Sequence, residues 1–415
     1  MRLFRTDEPI IKELLEVDVY KLTMLAFITR YYPNLRVAFR FKNRTKGLDL
    51  REYIDEGALC DELGHVATLR FTEKDVAFMR GWKIFPEHFL RTLPSVQLAP
   101  LDPILWHRSR TGEMEISCEG LWSEVTLWET IVLSIVNELF ARGYAKKYGL
   151  NECDLASQGN ARISRKFEIL HANPGITFAQ FGLRRRFSGP WEEHVTRRLV
   201  SGVPECIAGV SNVRLARDLG LEALGTNAHE LPMALCTLAR HESDETARQS
   251  VYAMLERWQM LYGERLLVML PDTFGTDAFL AELPRKYAVD WRGFRQDSGD
   301  PFAFGEKVIA FYKRQGVDPR DKLIIFSDGL TVEKIVKLYR QFKWRIQVTF
   351  GWGTDLTNDL GVPPLSLVMK LMSAAGRPAV KLSDNIAKAT GDIGEVGEIR
   401  RIFRYSSHFN EQPIY

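Results

Sequence analysis

The segment Arg295–Pro301 concentrates polar groups at the end of a predicted strand. It places an arginine, two carboxylates and a glycine turn within seven residues. The guanidinium of Arg295 is suited to pairing bidentately with a small carboxylate ligand. Asp297 and Asp300 are suited to holding ribose hydroxyls or a magnesium ion. A charged surface loop is the alternative, but so many polar groups in one turn favour a ligand site.

His229 lies in a second polar segment, Gly225–Glu230, which also follows a predicted strand. The glycine at its start lets a ligand approach the backbone closely. An imidazole there is suited to accepting a phosphoryl group, to acting as a general base or to binding a metal. The alternative is a histidine at a helix N-terminus with only a structural hydrogen bond. No H-E-x-x-H pattern or second nearby histidine indicates zinc.

The glycine-rich segment Gly351–Thr354 has neither the Walker nor the dinucleotide-binding pattern. It follows an apolar run and precedes a stretch that is compatible with a helix. Backbone amides of such a loop are suited to binding a phosphate, and Thr354 adds a hydroxyl donor. A glycine turn that only ends a strand is the alternative. Its place late in a predicted barrel favours phosphate binding.

The elements that position these segments follow a repeated pattern after residue 205, in which a short apolar run ends in small or polar residues and a helix-like stretch follows. The runs are Cys206–Val210, Leu221–Leu224, Leu266–Leu270, Trp291–Phe294, Leu323–Phe326, Ile346–Phe350 and Leu367–Leu371. Continuous apolar runs bounded by turns are typical of strands buried on both faces in a parallel sheet. Polar residues at the strand ends favour a β/α barrel, although a doubly wound open sheet shows the same alternation.

Before residue 205 the elements are mixed. Leu14–Arg30 reads as an amphipathic helix, Val37–Lys42 as a short strand and Leu121–Tyr144 as a long helix. A chain of 415 residues fits one large catalytic domain with a smaller partner.

Composition excludes several classes of protein. The net charge of +3 on 56 basic and 53 acidic residues argues against a dedicated nucleic-acid binder. Five widely spaced cysteines without a C-x-x-C pair argue against structural zinc and fit a reducing compartment. The N-terminus has no apolar core of a signal peptide, and no stretch reaches the ~20 apolar residues of a membrane span. We therefore expect a cytoplasmic protein without a membrane partner.

Taken together and in order, the motifs resemble the nicotinate phosphoribosyltransferase family. The resemblance spans nearly the whole chain, and the joint order of its motifs is far more specific than any one of them. The matching segments are Asp18–Met24, Phe39–Arg44, Phe181–Arg185, Gly209–Val213, Gly225–Glu230, Asp272–Thr273, Arg295–Pro301, Phe326–Leu330, Phe350–Asp359 and Val380–Asp384.

The resemblance implies an α/β fold with an irregular, TIM-like β/α barrel and an N-terminal mixed α/β domain. We expect residues 1–145, joined by 385–415, to form the N-terminal domain and residues 146–384 to form the barrel. It further implies a homodimer with shared active sites. The implied substrates are nicotinate, 5-phosphoribosyl-1-pyrophosphate and ATP with Mg²⁺, in the salvage of NAD.

The resemblance also implies roles for single residues. The implied catalytic residues are His229, which ATP phosphorylates, Arg295 and Asp297. The implied nicotinate-binding residues are Tyr20, Phe181, Thr226 and Arg295, with Tyr20 reaching across the dimer. The implied phosphoribosyl- and phosphate-binding residues are Arg40, Lys42, Arg44, Arg184, Ser211, Asn212, Asp328, Gly353 and Thr354. Asp297 and Asp300 are the implied ligands of magnesium.

Two other functions remain as alternatives. The first is a sister enzyme that uses nicotinamide or quinolinate; Arg295 favours an acid over an amide, and two carboxylates would need more basic residues around the ring. The second is a non-catalytic barrel that senses a phosphorylated metabolite. The Gly351–Thr354 loop alone fits such a sensor, but His229 and the Arg295–Pro301 loop together do not.

Overall fold

The computed structural model describes residues 1–104 and 114–411, in which helices surround two β-sheets. The strands are β1 (Arg36–Asn43), β2 (Asp102–Ile104), β3 (Glu115–Leu121), β4 (Phe178–Gln180), β5 (Ile207–Val210), β6 (Val268–Met269), β7 (Gly293–Gln296), β8 (Leu323–Phe326), β9 (Gln347–Trp352), β10 (Leu367–Ala374) and β11 (Arg377–Pro378).

The described helices alternate with these strands. They are α1 (Val19–Tyr31), α2 (Glu56–Thr68), α3 (Glu73–Gly81), α4 (Glu87–Thr92), α5 (Trp122–Val125), α6 (Trp128–Lys147), α7 (Glu152–His171), α8 (Gly189–Gly202), α9 (Val213–Leu219), α10 (Glu230–Ala239), α11 (Asp244–Tyr262), α12 (Thr276–Glu282), α13 (Arg285–Asp290), α14 (Pro301–Arg314), α15 (Val332–Phe342), α16 (Thr354–Thr357) and α17 (Ile393–Ile402). Across residues 1–104 and 114–411, none of the helices is apolar over a length that would cross a bilayer.

The parallel sheet has the strand order β5-β4-β9-β8-β7-β6. Its first strand, β4, pairs with β5 on one side and with the last strand, β9, on the other. A sheet whose first and last strands are neighbours curls into a barrel, whereas an open doubly wound sheet keeps its outer strands apart. Ala223 continues the sheet beyond β5 through a bridge to Val210. The predicted α/β fold with a barrel-like domain is confirmed.

The antiparallel sheet has the order β11-β10-β1-β3-β2 and corrects one predicted strand. The run Leu367–Leu371 was expected to follow the parallel series, but β10 pairs antiparallel with β1, with Leu371 opposite Phe39. Alternate residues of β10 are buried, the pattern of a sheet with one covered face. Residues 367–378 therefore return to the first sheet, although the sequence analysis places them within 146–384.

Three other local predictions need correction. Strand β4, of three residues, was missed because so short a run gives no periodicity. The predicted helix Leu121–Tyr144 is divided into α5 and α6. Helix α1 is not amphipathic: every residue from 19 to 28 is buried, and the helix packs against α4 and α5.

Gly143 of α6 provides a test of the packing between this helix and the 3-10 turn before α2. A Cβ at Gly143 would overlap the backbone carbonyl of Tyr53, whereas Gly64 of α2 has no atom near its Cβ position. We expect Gly143→Ala to lower the free energy of unfolding by about 1–3 kcal/mol through overpacking. The control, Gly64→Ala, should raise it by about 0.4–1 kcal/mol. Chemical denaturation checks both values, and equal effects would contradict the packing.

Candidate active site

Two adjoining cavities lie at the carboxyl ends of the barrel strands. The loop cavity, of about 920 Å³, is bordered by Phe181 and the Gly353–Thr354 loop. The histidine cavity, of about 170 Å³, is bordered by Tyr20 and His229. The two share eight charged or polar side chains and are parts of one site; these are Glu129, Arg184, Arg185, Arg295, Asp297, Ser327, Asp328 and Lys388.

His229 is held on both ring nitrogens immediately before α10. Its Nε2 lies 2.9 Å from Oδ2 of Asp297, and its Nδ1 lies 2.9 Å from the hydroxyl of Thr273. The carboxylate of Asp272 lies 3.8 Å from Nε2. The side chain is 14% exposed, on the wall of the histidine cavity. The ring orientation is therefore fixed while one edge remains open to a ligand.

The charges around His229 determine its protonation. Burial, and then the ammonium of Lys381, lower the pKa of His229 against the opposing effect of the two aspartates. Burial alone would raise the pKa of Asp297, but Arg295, His229 and Lys381 outweigh it and hold that pKa well below its usual range. An ionised Asp297 accepts a hydrogen bond from Nε2–H, so the lone pair on Nδ1 accepts the Thr273 hydroxyl.

Arg295 and Asp297 both come from the end of β7, as the sequence analysis predicts. The guanidinium of Arg295 donates to Oδ1 of Asp297 at 3.3 Å and to the backbone carbonyl of Asn227 at 3.1 Å. Its Nε is buried without a hydrogen-bond partner in the described chain. Arg295 therefore keeps a donor that a ligand carboxylate would satisfy. Gln296, on the same strand, donates to the carbonyls of Ser298 and Gly299 and holds the loop in shape.

The two aromatic residues predicted to bind nicotinate lie on different parts of the site. The ring of Tyr20 lies 5.6 Å from the guanidinium of Arg184 and borders the histidine cavity within the same chain. A hydrogen bond of 2.8 Å from Val19 N to Ser211 O fixes the start of α1 there. Phe181 borders the loop cavity and packs on Gly351, where a Cβ would overlap its ring.

Three lysines that no sequence motif assigned to the site line the histidine cavity. Lys370, Lys381 and Lys388 join the predicted Arg44 there. Burial, reinforced by these neighbouring cations, lowers the pKa of Lys370 well below its usual value, and burial also lowers that of Lys381. Concentrated positive charge of this kind is suited to a polyphosphate. Lys381 could have been found, because it lies in the matched segment Val380–Asp384.

Asp272 is a further residue that was matched to the family without a role. Its Oδ2 accepts from the hydroxyl of Ser298 at 2.5 Å, while its Oδ1 is buried and unpartnered in the described chain. Ligand atoms of Asp272, Asp297 and His229 all lie within 4.8 Å of one another. Asp300, the other predicted magnesium ligand, borders the loop cavity and also caps α14 by accepting from Phe302 N at 2.8 Å. The acidic pair beside His229 is Asp272 with Asp297.

Other predicted residues are separated from the cavities. Arg40 and Lys42 are exposed on β1, since the alternation of the strand turns Phe39 and Phe41 inward instead. Ser211 and Asn212 are buried in structural contacts, with Asp18 and with Glu192 respectively. Thr226 is also buried, and its hydroxyl donates to the carbonyl of Asn227 at 3.3 Å.

Asp328, in contrast, borders both cavities as predicted for a ligand-binding residue, and its carboxylate accepts a hydrogen bond from Lys388 at 2.5 Å.

The sequence matches the models of a known protein family. The model of the nicotinate phosphoribosyltransferase (NAPRTase) family matches residues 176–407, which is more than half of the chain. The chain belongs to the nicotinate phosphoribosyltransferase family. The N-terminal domain model of the same family matches residues 15–137. The family assignment and the enzyme class predicted from the sequence are confirmed.

Solved structures of other family members have the same fold. Nicotinate phosphoribosyltransferase from Porphyromonas gingivalis is 32% identical, with a TM-score of 0.85 over 95% of this chain and 100% of the other. The enzyme from Vibrio cholerae is 31% identical, with a TM-score of 0.88 over 97% of this chain and 96% of the other. The similarity thus covers the barrel and the N-terminal sheet together.

The electrostatic environment of His229 leads to a pH prediction. Lys381 lowers the pKa of His229, so Lys381→Met should raise it. In the wild type the imidazole should stay neutral until the pH falls below the ordinary value of 6.5, and the variant should protonate at a higher pH. NMR titration of ring-labelled histidine measures this, with His229→Asn to assign the signal. A pKa that is unchanged or lower in Lys381→Met would contradict the electrostatic description.

Proposed function

We propose that this chain transfers the phosphoribosyl group of 5-phosphoribosyl-1-pyrophosphate to nicotinate and couples the transfer to ATP through phosphorylated His229. The products are nicotinate mononucleotide, pyrophosphate, ADP and phosphate, in the salvage of NAD. The observation that carries the proposal is the position of His229, whose Nε2 lies 2.9 Å from Oδ2 of Asp297 and which borders a cavity also lined by Lys370, Lys381 and Lys388.

The contacts of His229 account for phosphoryl transfer. Asp297 keeps a proton on Nε2, so Nδ1 is the unprotonated nitrogen, and its electron pair attacks once the Thr273 hydroxyl has moved away from it. That nitrogen attacks the γ-phosphorus of ATP, the bond to the bridging oxygen breaks, and ADP leaves. Lys370, Lys381 and Lys388 stabilise the negative charge of the phosphates. Hydrolysis of the P–N bond later releases phosphate and restores the imidazole.

Phosphoribosyl transfer needs orientation more than it needs a base. The ring nitrogen of nicotinate attacks the anomeric carbon as pyrophosphate leaves, and positive charge develops on the ribose. Tyr20 and Phe181 supply aromatic faces for the pyridine ring, which raises the effective concentration of the nucleophile. The carboxylates of Asp272 and Asp297 favour the cationic ribose, while the lysines favour the leaving group.

Arg295 accounts for the choice of the acid over the amide. Its unpartnered Nε can donate a charge-assisted hydrogen bond to the nicotinate carboxylate. Nicotinamide carries no negative charge and cannot accept a charge-assisted bond of this kind, and leaving this buried donor of a charged group unsatisfied costs roughly 2–4 kcal/mol. That energy corresponds to a preference for nicotinate of about 30- to 1000-fold.

Magnesium fits the acidic pair of this site. Mg²⁺ prefers oxygen ligands and keeps several waters or phosphate oxygens, and the unpartnered Oδ1 of Asp272 is such a ligand. Asp272 and Asp297 would hold the ion, which supplies charge neutralisation for the phosphates.

The homodimer with shared active sites and the cytoplasmic location stay predictions. The cavities described here are lined by residues of one chain.

A substrate assay tests the proposed reaction. The purified chain is incubated with phosphoribosyl pyrophosphate, Mg²⁺ and nicotinate, nicotinamide or quinolinate, with and without ATP, and the mononucleotide and ADP are measured. We expect turnover of nicotinate at about 30- to 1000-fold the efficiency of nicotinamide, with stimulation by ATP. His229→Asn should lose the stimulation and keep weak transfer. Equal use of another pyridine, or full stimulation of the variant, would contradict the proposal.

A further inference from the structure

Lys21 is a fully buried ammonium that touches neither cavity. It follows Tyr20 in α1, and its Nζ lies 2.7 Å from Oε2 of Glu129 and 2.5 Å from Oε2 of Glu230. Burial alone would lower its pKa, but the two carboxylates outweigh burial and raise it. An ion buried so completely is costly unless it is paired. Lys21 therefore acts on the site only through the residues that it holds.

One of these residues fixes the position of His229. Glu230 is the first residue of α10 and follows His229 directly. Its Oε1 accepts from the hydroxyl of Thr126 at 2.7 Å and from the indole nitrogen of Trp122. The carboxylate of Glu230 thus anchors the start of α10 to the corner between α5 and α6, with Lys21 on its other oxygen.

The other residue supports the wall of the cavity. Glu129 borders both cavities, and its Oε1 lies 3.3 Å from Nη1 of Arg184. The guanidinium of Arg184 in turn lies over the ring of Tyr20, at 5.6 Å from its centre. Glu129 therefore positions Arg184 against the aromatic face that the proposed function assigns to the pyridine ring.

We propose that Lys21 is a positioning residue that couples phosphorylation of His229 to binding of the pyridine ring. This inference rests on the proposed function. Both carboxylates share one ammonium, so a shift of Glu230 at the start of α10 changes the position available to Lys21 and through it to Glu129. A continuous set of ion pairs between two ligand sites is a physical route by which each site affects the other.

The two glutamates allow the coupling to be tested from both of its ends. Glutamine has the shape of glutamate without its charge. We expect Glu129→Gln to raise the KM for nicotinate about tenfold and also to reduce ATP stimulation, because Glu129 pairs with Lys21 as well as with Arg184. Glu230→Gln should reduce ATP stimulation several-fold and also raise the KM, because it removes the other partner of Lys21. Lys21→Met, which removes the shared cation, should change both quantities.

Lys322 provides the matched control. It is another buried lysine, but its Nζ donates to the backbone carbonyls of Val289 and Trp291 at 2.6 and 2.9 Å, at the start of β8 and away from the cavities. Lys322→Met should lower the melting temperature and leave both kinetic quantities unchanged.

The outcomes decide the inference without ambiguity. A folded Lys21→Met variant with a wild-type KM and wild-type ATP stimulation would overturn it, as would a change in kcat alone. If circular dichroism shows that Lys21→Met does not fold, the glutamine variants decide. A change of both the KM and ATP stimulation in each variant supports the inference, and a change of only one quantity in each variant, or no change, overturns it. Failure of the wild type and of Lys322→Met to use nicotinate would instead refute the proposed function.

Discussion

The hydrogen bond between Asp297 and His229 depends on the ionisation of a half-buried carboxylate. Without neighbouring cations, burial would favour the neutral acid, and the imidazole would lose its oriented acceptor. The guanidinium of Arg295, at 3.3 Å, keeps Asp297 charged. The same arginine retains a free Nε for the substrate. One ion pair therefore sets both the orientation of the phosphoryl acceptor and the recognition of the pyridine acid.

The two sheets contribute different charges to the site. The barrel strands supply the acidic pair and Arg295 at their carboxyl ends, where active sites of such barrels lie. The return of β10 to the first sheet brings Lys370 beside the cavity, and the segment after β11 carries Lys381 and Lys388. The cations thus lie beside the aspartates, with Lys381 3.8 Å from Asp272 and Lys388 2.5 Å from Asp328, an arrangement suited to holding a polyphosphate close to a ribose.

Much of this arrangement could be predicted because it is local in sequence. Strand β8 has the predicted bounds, and Arg295 and Asp297 meet because they are two residues apart at a strand end. The remaining groups depend on tertiary contacts that carry no local signal. Lys370 approaches the site only because β10 pairs with β1. Arg44, just after β1, borders the histidine cavity, whereas the alternation of the strand turns Arg40 toward solvent.

The most direct test of the account is the site of phosphorylation. The wild type is incubated with ATP labelled on its γ-phosphate, and peptides are analysed by mass spectrometry at neutral and acidic pH. We expect one phosphoryl group on the peptide that contains His229, lost in acid and absent from His229→Asn. We also expect much less phosphorylation in Asp297→Asn, which cannot orient the imidazole as an anion does. A stable phosphate on another residue, or equal labelling of His229→Asn, would contradict the account.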